Sequence, residues 1–170
     1  MNINDLLVLK NIKPKERTEL LSGWILNHTI DINEVIELAR REKDSVKTLL
    51  IESIEFATRQ NAGISNEKVL EFAVDALASK SPSVKRESGR VIANIARLYP
   101  EKLDKAIVNL IENSEHPGTV VRWSAALAIG EILKLKTIHN QQLVPAAHAI
   151  CEKEEKNSIR KIYLAALKNT

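Results

Sequence analysis

Six cations fall on one helical face with no acid among them: Arg86, Arg90 and Arg97, then Lys134, then Lys161 and Lys168. Trp123 shares that face. Guanidinium and ammonium groups in a row bind carboxylates or phosphates, and an indole among them offers an apolar anchor. The chemistry open to this pattern is recognition of an acidic peptide or of a phosphate backbone. The competing reading is a solvated helix face, since surface Lys and Arg must lie somewhere. Trp123 also has two readings, a packing residue between neighbouring units or an anchor for a ligand.

Patterns for bond-making chemistry are weaker. His148 and Cys151 stand three apart with Glu152 beside them. That spacing holds a metal only with a further ligand, and His139 is the one candidate. A packed histidine and a buried thiol are commoner, so the expectation is no metal. Glu52 and Glu55 form a carboxylate pair, but acid–base work needs a pocket that raises one pKa. Solvated helix charges explain them more simply. Ser53 and Ser88 fall on a core face with no histidine at helical spacing, which argues against a nucleophile. Gly63, Gly89, Gly118 and Gly130 are isolated, so no phosphate-binding loop is present. Gly89 and Gly130 lie inside helices, where close helix approach is the simplest reason for them. No cofactor is implied, and the expectation is a protein that is not an enzyme.

The elements that position these residues repeat. A Val/Ile–cation pair recurs at Val46-Lys47, Val84-Lys85, Val121-Arg122 and Ile159-Arg160. A period of about 38 residues is the mark of a helical repeat array. Counting the Val/Ile as zero, positions 0, 4, 7, 8 and 11 share one face of a helix. They hold apolar residues almost throughout, as in Val121, Ala125, Ala128, Ile129 and Ile132. Positions 2, 6, 9 and 13 lie opposite and carry the cations. Only the earliest unit dissents, with Thr48, Glu52, Glu55 and Arg59 there. The pattern predicts first helices over 32–42, 65–79, 101–115 and 140–155. Second helices are predicted over 46–61, 81–98, 120–135 and 158–168. Asp44-Ser45 and Ser81-Pro82 read as helix caps, and Pro145 as a helix N-terminal position or a kink.

A capping residue, Val-Arg or Val-Lys, then an Ala-rich apolar helix resembles a HEAT repeat. Thr119 to Leu133 matches best, and the resemblance covers about residues 32–169. Residues 1–31 read as an irregular N-terminal cap pair. The implied fold is all-α, a right-handed α-solenoid of about five antiparallel helix pairs forming one domain over 1–170. The resemblance also implies that second helices line a concave surface, so the six cations would make a basic concave face. It implies a structural ladder in which Lys47, Lys85, Arg122 and Arg160 bond to neighbouring caps and carbonyls. The DNA alkylation repair glycosylases are a catalytic branch with a basic, tryptophan-bearing concave face. Their catalytic acid matches no residue here, so that activity is not carried over.

Bulk composition is consistent with this. The chain has 170 residues, 44% hydrophobic, 4% aromatic, and a net charge of +3. The first-helix segments carry a net −7, and the second-helix segments with their flanking turns, 45–61, 81–100, 117–136 and 156–169, a net +9. One cysteine, Cys151, suits a reducing compartment, and neither a signal peptide nor a membrane span is evident. The expectation is a cytoplasmic interaction or scaffold module. It binds an acidic segment of a protein partner through Arg86, Arg90, Arg97, Trp123, Lys134, Lys161 and Lys168. Nucleic-acid binding through the same face is the alternative.

Overall fold

The computed structural model describes residues 1–170 as ten α-helices and no strand. They are α1 (Ile3–Val8), α2 (Pro14–Leu26), α3 (Ile32–Arg41), α4 (Asp44–Gln60) and α5 (Glu67–Ala76). After these come α6 (Pro82–Ile95), α7 (Asp104–Asn113), α8 (Thr119–Lys134), α9 (Asn140–Lys153) and α10 (Asn157–Leu167). Single 3-10 turns follow α4 at Ala62–Ile64 and α6 at Ala96–Leu98. The helices fall into five successive pairs, α1–α2 through α9–α10. Their second members pack side by side in the order α2, α4, α6, α8, α10. The first members form an outer layer, with α5 touching both α3 and α7. No helix is long and apolar enough to cross a membrane.

The repeated apolar stripe explains the stacking. Every position in it is buried except Val46 and Leu167, which are half-buried. An apolar stripe on one helix can lose its water only against a neighbour, so each unit needs the next. The buried side chains form one continuous cluster from Leu6 to Ala166. Ser53 and Ser88 lie inside it, and their hydroxyls donate to Leu49 O and Val84 O at 2.8 and 2.7 Å.

Local signals set the helix starts. Asp31 and Asn66 accept from the backbone N–H groups of Asn33 and Val69. Ser81 caps α6 through Val84 N, with Pro82 in the first turn; this is favourable because Pro needs no acceptor there. The expected Asp44-Ser45 cap is corrected. Lys43 occupies the cap position without a side-chain bond, and Asp44 already belongs to the helix. Its carboxylate favours the first turn through the helix dipole. The first helices are shorter than the pattern predicts: α7 begins at Asp104, because Tyr99 to Leu103 form a turn around Pro100. Pro145 sits in the second turn of α9, where it supplies no N–H for Gln141 O.

The row of second helices is tightest between α6 and α8. A Cβ added at Gly89 would lie 2.3 Å from Ser124 Oγ, and that hydroxyl donates across the interface to Arg86 O at 2.6 Å. Close approach therefore explains Gly89. At Gly130 the added Cβ would meet Ala166 and Ile162 at 3.5 and 3.6 Å, an ordinary contact. Crowding does not require a glycine there.

Candidate functional site

The face of α4, α6 and α8 turned away from the first helices holds a hollow of about 560 Å³. α4 contributes Glu55 and Arg59; α6 and its 3-10 turn contribute Arg90, Asn94 and Arg97. α8 contributes Trp123, Leu127, Glu131 and Lys134. Four residues predicted for the site, Arg90, Arg97, Trp123 and Lys134, therefore line one concavity. Arg86 lies one turn before Arg90 and does not reach the hollow. Lys161 on α10 and Lys168 just after its last residue are exposed, and neither lines the hollow.

The charge at the hollow differs from the expected unopposed row of cations. Two carboxylates are buried beneath it, Glu55 at 2% exposure and Glu87 at 1%. Arg86 Nε donates to Glu87 at 2.9 Å. Arg90 lies 3.4 Å from both Glu87 and Glu55. Lys134 pairs with Glu131 at 2.7 Å, and Arg59 with Glu55 at 3.7 Å. Arg97 is exposed and has no carboxylate partner. The stripe on one helix lacks acids because they stand beside it: Glu87 is one residue off the stripe, and Glu55 comes from the preceding unit. Glu55 is thus corrected from a solvated charge to a buried one. Desolvation pushes its carboxyl above the ordinary range, against the opposing pull of Arg90, the Asn94 hydrogen bond and Arg59.

Asn94 went unmarked in the sequence because it is neither charged nor on the stripe. Its amide crosses from α6 to α4, donating to Glu55 O at 3.1 Å and to Thr58 Oγ1 at 3.2 Å. It thereby ties α6 to α4 beside the hollow. Trp123 is half-buried, packed against the core on one side and lining the hollow on the other. The Arg90 guanidinium lies 5.9 Å from its ring centroid, within reach of a cation–π attraction.

The signature cations divide into two that bond across units and two that do not. Lys85 donates to Leu77 O at 2.9 Å and to Asn113 Oδ1 in the next pair at 2.7 Å. Arg122 donates to His116 O and Pro117 O, and grips Glu154 of the following pair through Nε and Nη2 at 3.0 and 3.4 Å. Burial raises the Glu154 pKa. The Arg122 hydrogen bond, the Lys156 N–H and the Arg122 charge outweigh it and hold the carboxyl below its ordinary value. Arg160 is exposed and its guanidinium makes no hydrogen bond; its backbone carbonyl accepts from Cys151 Sγ at 3.8 Å. Lys47 makes no side-chain hydrogen bond; Asp75, on the same crevice, is taken by Lys105 at 2.6 Å.

The remaining candidates for chemistry do not converge. His148 is exposed while Cys151 is buried. His139 is held elsewhere, with Nε2 at 3.0 Å from Pro100 O and Nδ1 at 3.4 Å from Asp104.

Comparison with known proteins agrees with the architecture. No family model matches the sequence. A stretch of 110 residues, 61% of the chain, is 33% identical to Protein mini spindles of Drosophila melanogaster. The chain spans only 5% of that protein's length. A designed armadillo repeat protein, solved in complex with the peptide (KR)4, superposes with a TM-score of 0.77 at 18% identity. The match covers 98% of this chain and 79% of that one. The chain has a helical-repeat solenoid fold. A second designed armadillo repeat protein gives a TM-score of 0.75 at 18% identity, again over 98% of this chain and 79% of the other. An engineered protein gives 0.73 at 20% identity over 98% and 78%.

Proposed function

We propose that this is a HEAT-like interaction module that takes an acidic peptide segment in the groove across α4, α6 and α8. The observation that carries this reading is the pairing of an apolar floor with a cationic rim. Trp123, Leu127 and Ala93 line the hollow. Arg59, Arg97 and Lys134 are exposed at its edge, Arg97 without a carboxylate partner and the other two beside Glu55 and Glu131. An indole beside arginines is the composition from which binding hot spots are drawn. The solved neighbour took a basic peptide; the rim here complements the opposite charge. A phosphate backbone fits less well. Arg86 and Arg90 are already held by buried carboxylates, and Lys161 and Lys168 lie outside the hollow.

Fluorescence anisotropy with a labelled Glu-rich peptide carrying one central Leu tests the reading, run beside a labelled DNA duplex across a salt series. The peptide is expected to bind, and Arg97→Glu with Lys134→Glu to weaken it at least about tenfold. Three exposed rim cations allow a duplex a log–log salt slope no steeper than about −3. Tight duplex binding with a steeper slope, lost in the double reversal, would put nucleic acid first. Binding of neither ligand would leave the rim an ordinary solvated face.

A further inference from the structure

The exposed cations of the groove recur at one place in the repeat. Arg59, Arg97 and Lys134 stand thirteen residues after the signature valines Val46, Val84 and Val121. All three line the same hollow, one from α4, one from the 3-10 turn after α6 and one from α8. Bonds between the helices keep equivalent positions nearly level. Asn94, ten residues after its valine, donates to Glu55 O and Thr58 Oγ1, nine and twelve after theirs. Ser124, three residues after its valine, donates to Arg86 O, two after its own. The three cations therefore form a row across the helices, with a step of one helix packing distance, about 8–10 Å. They are not equivalent in charge. Arg97 has no carboxylate partner, Arg59 lies 3.7 Å from the buried Glu55, and Lys134 is held by Glu131 at 2.7 Å.

A ligand that meets all three must present acids at that step. A β-strand returns a side chain to the same side every second residue, about 6.6 Å along, which falls short. An α-helix does so after seven residues, about 10.5 Å along. A helix is about 10–12 Å across, however, and one that spanned the row would occupy far more than the hollow's 560 Å³. A polyproline II chain turns once in three residues and rises about 3.1 Å at each, so every third side chain points the same way about 9.3 Å apart. We propose that the groove takes a polyproline II segment with an acidic residue at every third position, lying across α4, α6 and α8. Its acids face Arg59, Arg97 and Lys134 in turn, and residues between them rest against Trp123 and Leu127. Such a chain is ordered before it binds, and it packs well on aromatic surfaces. The middle acid gains most, because Arg97 is unopposed, whereas the acid at Lys134 must displace Glu131. This rests on the acidic-peptide reading of the groove and adds the spacing and conformation of the ligand.

Fluorescence anisotropy tests this with labelled peptides of equal length and composition, three Glu and one Leu among Ser. Only the Glu spacing differs, at two, three, four or seven residues. The peptide with Glu three apart is expected to bind at least about fivefold tighter than the others. Replacing its intervening Ser by Pro should tighten it further. Glu→Ser at the middle acid should weaken it more than at either outer one. Glu131→Gln in the protein should tighten it about two- to threefold by releasing Lys134, with circular dichroism to check that the variant keeps its helicity. Equal binding at every spacing, tightest binding at two, four or seven, or loss of binding with Pro overturns the inference and leaves the acidic-peptide reading standing. So does a middle acid that matters no more than the outer two, or a Glu131→Gln variant of unchanged affinity. Binding of none of the peptides overturns both.

Discussion

Glu55 and Glu87 lose nearly all their water on folding and share Arg90 as a counter-ion. Removing one member of such a cluster strands charge in a low-dielectric site, at a cost of about 3 kcal/mol. Arg90→Ala is therefore expected to be clearly destabilising in urea melts. Judged from the stripe alone it would be a nearly neutral surface change. Glu55→Gln should behave differently. The folded-state pKa of Glu55 lies above its ordinary 4.5, so its charged form opposes folding at neutral pH. Stability then rises as pH falls through the folded value towards 4.5, and the glutamine variant should lack that rise while matching or exceeding wild type at pH 7. Glu154 has the opposite sign, with a folded pKa below ordinary. Its contribution is present above 4.5 and is lost as pH falls through the folded value. Arg122→Ala should cost about 1.5–3 kcal/mol, the loss of charged hydrogen bonds between units. Melts in which Arg122→Ala and wild type coincide would contradict its bridging role.

At the scale of helices, the row of second members depends on how closely α6 and α8 approach. Gly89→Ala is expected to cost about 1–3 kcal/mol, because its methyl would overlap Ser124 Oγ. With that oxygen removed, the next nearest atoms are Ser124 Cβ and O, at 3.4 Å, so Gly89→Ala with Ser124→Ala should recover part of the loss. Gly130→Ala, in ordinary contact with α10, should be neutral or gain up to about 1 kcal/mol from helix propensity. Equal losses at the two glycines in chemical melts would contradict the packing described. The helices themselves were legible because the Val/Ile–cation pair and the stripe from Val84 to Ile95 repeat in step, and burial follows that repeat. The ends of the first helices were less legible. Their limits depend on turns such as Tyr99 to Leu103, whose conformation the His139–Pro100 contact helps to fix, thirty-nine residues away.

For the whole molecule, the sequence placed Arg90, Arg97, Trp123 and Lys134 on one face, and they do line one hollow. It could not show that Glu55 and Glu87 underlie that face, because pairing runs between helices that periodicity treats one at a time. Nor could it show that Lys161 and Lys168 belong to an end of the row, since a stripe drawn along the repeat carries no depth. The same limit hid Asn94, which acts only across α4 and α6. The hollow sets Trp123 and Leu127 beside Arg59, Arg97 and Lys134, with Glu55 and Glu131 among them, and the proposed function turns on whether a ligand sits against Trp123. The direct measurement is a fluorescence titration of a Trp24→Phe variant, in which Trp123 is the sole indole. An acidic peptide with a central Leu should shift or quench its emission saturably, a Lys-rich peptide should not, and Arg97→Glu with Lys134→Glu should abolish the response. Emission unchanged by the acidic peptide, or changed equally by the basic one, would contradict the account.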